Sequence, residues 1–140
     1  MQPIIQEDRT GCGIASVASL AGVTYQHVKS TASQLGIDVK DAKLWSDTKY
    51  VRQLLTHYGL STSPCKKPFK SWEKLPPLAL LAIKWHIEGT QAFWHWVIFW
   101  RGAEGMVVLD PQRSLKKHVR TDFGRMKPKW FIVVDSKESL

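Results

Sequence analysis

Asparagine is absent from this chain, and cysteine occurs only twice. Without asparagine, any histidine ring that needs an orienting partner has to take it from a carboxylate or another acceptor. Two cysteines, Cys12 and Cys65, are too few for a disulfide framework in a chain this small, and both are expected as reduced thiols. There is no Cys-x-x-Cys, no His-Glu-x-x-His and no glycine-rich phosphate loop. Metal and nucleotide sites are thereby unsupported, and no cofactor is expected. Long apolar runs are missing as well. The longest nearly apolar run, Leu75 to Ile83, is too short to cross a bilayer, and Met1 to Asp8 has neither a basic nor an apolar leader segment. The expectation is a chain without a transmembrane segment, located in the cytoplasm.

What is present suffices for one packed core. At 140 residues and 44% hydrophobic, with no repeat and no low-complexity tract, residues 1–140 read as a single domain. The formal net charge is +8, concentrated in clusters such as Lys66-Lys67-Pro68-Phe69-Lys70, Lys116-Lys117-His118-Val119-Arg120 and Arg125-Met126-Lys127-Pro128-Lys129. Such clusters attract polyanions, acidic peptides or anionic lipid heads. They are read here as solvated loops that keep a tryptophan-rich protein soluble. The seven tryptophans would suit base stacking on a single strand, but most lie in strand-like apolar runs where the core competes for them. A nucleic-acid partner is therefore not expected.

The periodicity divides the chain. From Cys12 to Ala21 almost every residue is small or apolar, which predicts a buried helix capped by Thr10 or Gly11 and ended by Gly22. A second helix runs from a Thr24 cap through Val28 to Leu35, and a third from Ser46 or Asp47 through Leu54 to Tyr58. After the loop from Pro64 to Pro77 the pattern becomes strand-like at Leu78–Trp85, Phe93–Trp100, Met106–Leu109 and Trp130–Val134. Helices first and strands second predict an α+β fold.

Four residues carry a chemistry. Cys12 stands at a predicted helix start, where the dipole and unpaired N–H groups favour thiolate over thiol, and Gly11 and Gly13 leave room for a substrate backbone. His95 interrupts the apolar face formed with Val97 and Phe99. A four-residue hairpin loop from Arg101 to Glu104 would bring Asp110 opposite His95 on that face. The carboxylate then orients the imidazole. Gln6, with the backbone N–H of Cys12, supplies a donor pair for an oxyanion. The ordered set Gln6, Cys12, His95 and Asp110 fits a nucleophilic thiol enzyme. His86 is the best substitute for His95, and Gln112 the nearest one for Asp110.

Gln6, Cys12-Gly13-Ile14-Ala15-Ser16, His95-Trp96-Val97 and Asp110-Pro111 resemble the C39 peptidases and C39-like proteins, a bacterial branch of the papain-like cysteine peptidases. The resemblance extends over the whole chain. It implies a papain-like α+β fold with the nucleophile helix and its neighbours packed on a C-terminal antiparallel sheet. Cys12, His95 and Asp110 would be catalytic, and Gln6 would complete the oxyanion hole. It also implies hydrolysis of peptide bonds, often after a double-glycine leader, and association with an ABC transporter. Gly11 departs from the acidic residue usual before the cysteine. Two other readings follow from the same residues: a papain-like deamidase or transglutaminase-type toxin or effector, and a non-catalytic basic module that binds nucleic acid or protein with Cys12 in its core.

Overall fold

A computed structural model describes residues 1–136 of the chain. The small apolar run folds as helix α1 (Cys12–Ala21), with Ile14, Ala15, Val17 and Ala18 wholly buried. Gly22 ends it in the left-handed region at φ 70°, its N–H donating to the Ala18 carbonyl. Thr10 does not cap this helix; Gly11 is the N-cap, and the Thr10 hydroxyl donates instead to the Val39 carbonyl. Helix α2 (Tyr25–Gln34) begins as expected, the Thr24 hydroxyl accepting from the His27 N–H at 3.0 Å. Helix α3 (Lys49–His57) starts later than its sequence suggests, because a 3-10 turn over Ala42–Ser46 occupies the approach. Asp47 then accepts from the Lys49 N–H at 2.8 Å.

A seven-stranded antiparallel sheet follows, in the order β1-β7-β3-β4-β5-β6 with β2 also on β7. Strands β3 (Leu78–Glu88), β4 (Gln91–Gly102), β5 (Gly105–Leu109) and β7 (Trp130–Ser136) extend the runs read from sequence. Strands β1 (Leu60–Thr62), β2 (Lys67–Pro68) and β6 (Val119–Arg120), and the single turn α4 (Phe123–Met126), are too short to leave a periodic signal. The α+β expectation holds. Among the described residues no helix is long and apolar enough to cross a membrane.

Alternation along β4 sorts the two faces of the sheet. Trp94, Trp96 and Ile98 pack with α1, α2 and α3, whereas Val97 and Phe99 join Leu81, Ile83 and Met126 on the other side. Trp94, Trp96 and Trp130 form a mutual cluster with ring centroids 4.8–5.8 Å apart. Each such ring removes about 150–250 Å² from water, on the order of 4–6 kcal/mol at about 25 cal/mol per Å². That gain places these three tryptophans in the core instead of on a nucleic-acid surface.

The β4–β5 hairpin corrects one expectation. Gly102 pairs with Gly105, so the loop is the two residues Ala103-Glu104 instead of four, and Gly105 takes φ 116° to close it. Every pair slides by two residues: Trp100 faces Val107, and Ile98 faces Leu109. Side chains alternate with a period of two, so a slip of two keeps each on its face. His95 and Asp110 are therefore diagonal neighbours and not direct partners. On its other edge β4 meets a β-bulge. Ile83 pairs with His95 and His86 with Phe93, leaving Lys84 and Trp85 against Trp94 alone, with Lys84 at φ 54°.

Candidate active site

The site forms where the start of α1 meets the middle of β4 and the end of β5. Cys12 is the first residue of α1, buried at 1% exposure, among backbone N–H groups that have no acceptor within the helix. Gly11 and Gly13 do leave room, but for the protein's own tyrosines. A Cβ at Gly11 would lie 2.0 Å from the Tyr25 hydroxyl oxygen, and one at Gly13 2.0 Å from that of Tyr50. The expected space for a substrate backbone is taken by these two rings. Tyr25 donates to Asp8 at 2.7 Å and accepts from the Asp8 N–H at 3.2 Å, which fixes the loop leading to Cys12. Gly11 stands in place of an acidic residue because no larger side chain fits against Tyr25.

His95 is held from both sides. Its Nε2 lies 2.7 Å from Asp110 Oδ1, and the Cys12 side chain is near enough to the imidazole to act on its protonation. The side chain of His95 is 13% exposed and that of Asp110 not at all. Burial disfavours the charged imidazolium, yet the bond to Asp110 and the nearness of Cys12 outweigh it and raise the pKa of His95 to about 9. Burial likewise works against the Asp110 carboxylate. Its bond with His95, the Gln112 N–H at 3.0 Å and the Arg120 guanidinium at 2.9 Å prevail and lower it to about 2.

Asp110 Oδ1 thus accepts from His95 and the Gln112 N–H, and Oδ2 from Arg120. Gln112 provides a backbone donor to Asp110, and its side chain accepts from Lys84 at the bulge, which ties the loop after β5 to β3. Arg120 escaped the sequence reading, which placed its cluster in solvent. The signal that would reveal it is tertiary, since a two-residue strand carries no pattern of its own.

Gln6 is 9% exposed and close in sequence to the site, but its amide is turned into the loop. Nε2 donates to the carbonyls of Asp8 and Arg9, each at 3.1 Å, and Oε1 is buried without a partner. The backbone N–H of Gln6 donates to the Pro111 carbonyl at 2.9 Å, joining the N-terminal segment to the residue after Asp110. His86 does not take the place of His95: its side chain is 54% exposed and bonded to Glu88 at 3.4 Å and the Lys84 carbonyl at 2.9 Å. Cys65 is exposed in its loop.

A groove of about 320 Å³ opens beside His95, lined by Trp45, Lys84, His86, Phe93 and Trp94. The 3-10 turn that carries Trp45 is fixed on two sides. Arg9 stacks 5.2 Å from the Trp45 ring, and Gln91 donates to Ser46 at 2.6 Å. The Trp45 wall of the groove is therefore tied both to the loop before Cys12 and to the strand of His95.

No family model and no curated protein sequence matches the chain. Solved structures do. One is a double-glycine-motif protease from an AMS/PCAT transporter, crystallised with the leader peptide; it is 18% identical with a TM-score of 0.59, over 97% of this chain and 91% of that one. Another is the peptidase domain of Streptococcus ComA, a bifunctional ABC transporter of a quorum-sensing pathway. It is 14% identical with a TM-score of 0.56, over 97% of this chain and 98% of that one. The fold is the papain-like one of C39 peptidase domains.

Proposed function

We propose that the chain is a cysteine peptidase with Cys12 as nucleophile, His95 as proton carrier and Asp110 as the acceptor that orients His95. The observation that carries this reading is a largely buried imidazole bonded through Nε2 to a fully buried carboxylate, with the thiol at the start of α1 close by. The raised pKa of His95, about 9, favours transfer of the Cys12 proton to the imidazole, and that transfer makes the sulfur nucleophilic. Attack on a peptide carbonyl forms the C–S bond and puts negative charge on oxygen. The N–H of Cys12 and one N–H of Gln6, released from the loop carbonyls, hold that oxyanion. His95 passes its proton to the departing amine as the C–N bond breaks. Water then attacks the thioester, giving its proton to His95 and freeing Cys12.

The groove past Trp45 and His95 suits an extended peptide. The leader peptide in one structural neighbour, and the transporters from which both come, support precursors with a leader segment, processed for export beside an ABC transporter, as the substrate class. The test is mass spectrometry of a proteome-derived peptide library after incubation with the protein and with Cys12→Ala. New termini formed by the parent alone, sharing a residue preference before the cut, support the reading. Glutamines converted to glutamate without new termini point to a deamidase instead, and identical libraries refute an enzyme of either kind.

A further inference from the structure

We propose that Arg120 is a positioning residue of the site: its guanidinium clamps the outer oxygen of Asp110, so that the inner one stays aimed at His95. The inference rests on the triad proposed above. The geometry is specific. Asp110 lies just beyond β5, where the ladder with β4 has ended, so no strand pairing fixes its side chain. A carboxylate there rotates unless both oxygens are held. Oδ1 is held by His95 Nε2 and the Gln112 N–H, and Oδ2 by Arg120 NH1 at 2.9 Å.

The arginine is itself fixed. Its Nε and NH2 donate to the two oxygens of Asp122 at 2.9 and 2.7 Å, a fork-to-fork pair that leaves NH1 free for Asp110. Backbone pairing of Val108 with Arg120 supplies the platform, and the Asp110 N–H donates to the His118 carbonyl at 2.8 Å. The His118 ring donates in turn to the Asp110 carbonyl, at 2.8 Å. The short strand β6 therefore holds both the main chain and the side chain of Asp110. No other charged group competes: α1 presents Ala15, Ser16 and Ser19 to this carboxylate, and the N-terminal segment presents Pro3 and Ile4. His95 and Arg120 are the two side chains ion-paired with the carboxylate among the described residues, with the titratable His118 ring on the Asp110 carbonyl, Cys12 beyond the imidazole and Asp122 beyond the guanidinium.

Arg120→Gln and Arg120→Lys separate the two services of this side chain. Glutamine removes charge and fork; lysine keeps the charge and loses the fork. For Arg120→Gln, kcat on a cleaved peptide should fall about tenfold to a hundredfold with KM nearly unchanged. The acid limb of the pH–rate profile should move up by about one pH unit, because the carboxylate loses its opposite charge. Arg120→Lys should restore the acid limb but not kcat. Independently of turnover, the downfield ring N–H signal of His95 in proton NMR should sharpen at the Asp110 bond in the parent and broaden away in Arg120→Gln. Asp122→Asn, which loosens the arginine without leaving Asp110 unpaired, gives a milder form of each effect should Arg120→Gln not fold. An inactive parent whose His95 signal still depends on Arg120 would sink the peptidase reading and keep the clamp. An active Arg120→Gln protein with unchanged kcat, acid limb and signal would overturn the clamp and keep the peptidase.

Discussion

Two buried polar side chains belong to the candidate site, and the fold treats them differently. Asp110 is wholly buried and each of its oxygens is held, by donors from β4, from its own loop and from β6. Gln6 is nearly as buried, yet its N–H groups are spent on the carbonyls of a loop and its oxygen has no partner. A buried charge without partners is very costly, so a carboxylate at this depth exists only inside a complete shell of donors. A neutral amide tolerates partial satisfaction at about 1–3 kcal/mol. The contrast suits the tasks proposed for them. An orienting group works by staying still, whereas an oxyanion donor has to meet a charge that exists only part of the time.

The largest effect should come from breaking the rigid end. In Asp110→Asn the amide oxygen can still accept from His95, but the NH2 group then confronts the Arg120 guanidinium, donor against donor. If it turns to avoid that clash, it presents a donor to the imidazole and favours the wrong tautomer. Turnover should fall by about 10³–10⁴ with substrate binding little altered. Steady-state kinetics on the peptides found by library profiling measure it. Near-normal kcat would show that Asp110-Pro111 serves only as a turn.

Breaking the adaptable end should cost less. Gln6→Ala removes one oxyanion donor, for which a loss of about 10²–10³ in kcat is expected. It also removes two bonds to the loop of Asp8 and Arg9, so thermal unfolding is measured beside activity. A large fall in kcat with a melting temperature lowered by only a few degrees supports the donor role. A fall in stability with kcat kept would make Gln6 a brace for the Cys12 loop.

The pH dependence of stability sharpens the same comparison, because only the Asp110 end is charged. His95 has its folded pKa raised from 6.5 to about 9, so its stabilising contribution is complete below pH 6.5 and fades as pH rises through 9. Asp110 is lowered from 3.8 to about 2, so its contribution is complete above pH 3.8 and fades as pH falls through 2. These are two sides of one ion pair. Stability should form a plateau between those inner limits, with an alkaline decline on the order of 2–3 kcal/mol between about pH 6.5 and 9. Urea titrations across pH measure it. Asp110→Asn should flatten much of the alkaline decline, and Gln6→Ala should leave its shape alone.

How much of this could be read in the sequence follows the length scale of each interaction. Helix α1 is legible because ten residues of small apolar character end at a glycine, and β4 because its apolar and aromatic run from Phe93 to Trp100, interrupted by His95, is closed by Arg101-Gly102. Cys12, His95 and Asp110 sit on or beside those long elements, and the pairing of His95 with Asp110 is legible even though the hairpin loop is two residues and not four. The face survives a slip of two; a slip of one would have lost it. The roles of Gly11 and Gly13 were not legible, since they depend on Tyr25 and Tyr50 from other helices. Arg120 was hidden for a similar reason. In sequence it belongs to a basic run, and only the pairing of β6 with β5 turns it onto Asp110.

The smallest effect expected is that of the second thiol. Cys65 lies exposed in the loop between β1 and β2, where Ser63 donates to its carbonyl, and no titratable side chain of the site touches it. Cys65→Ser should leave kcat, KM and the melting temperature within error of the parent. The same substitution also isolates Cys12 for chemistry. A thiolate paired with imidazolium reacts with iodoacetamide at pH 6, where an ordinary thiol is almost wholly protonated. The Cys65→Ser protein should therefore be alkylated at a rate close to that of the parent, and Cys12→Ala should be sluggish. Equal sluggishness of both variants would mean that Cys12 rests as a buried thiol, and the site would then be a core feature with no nucleophile in it.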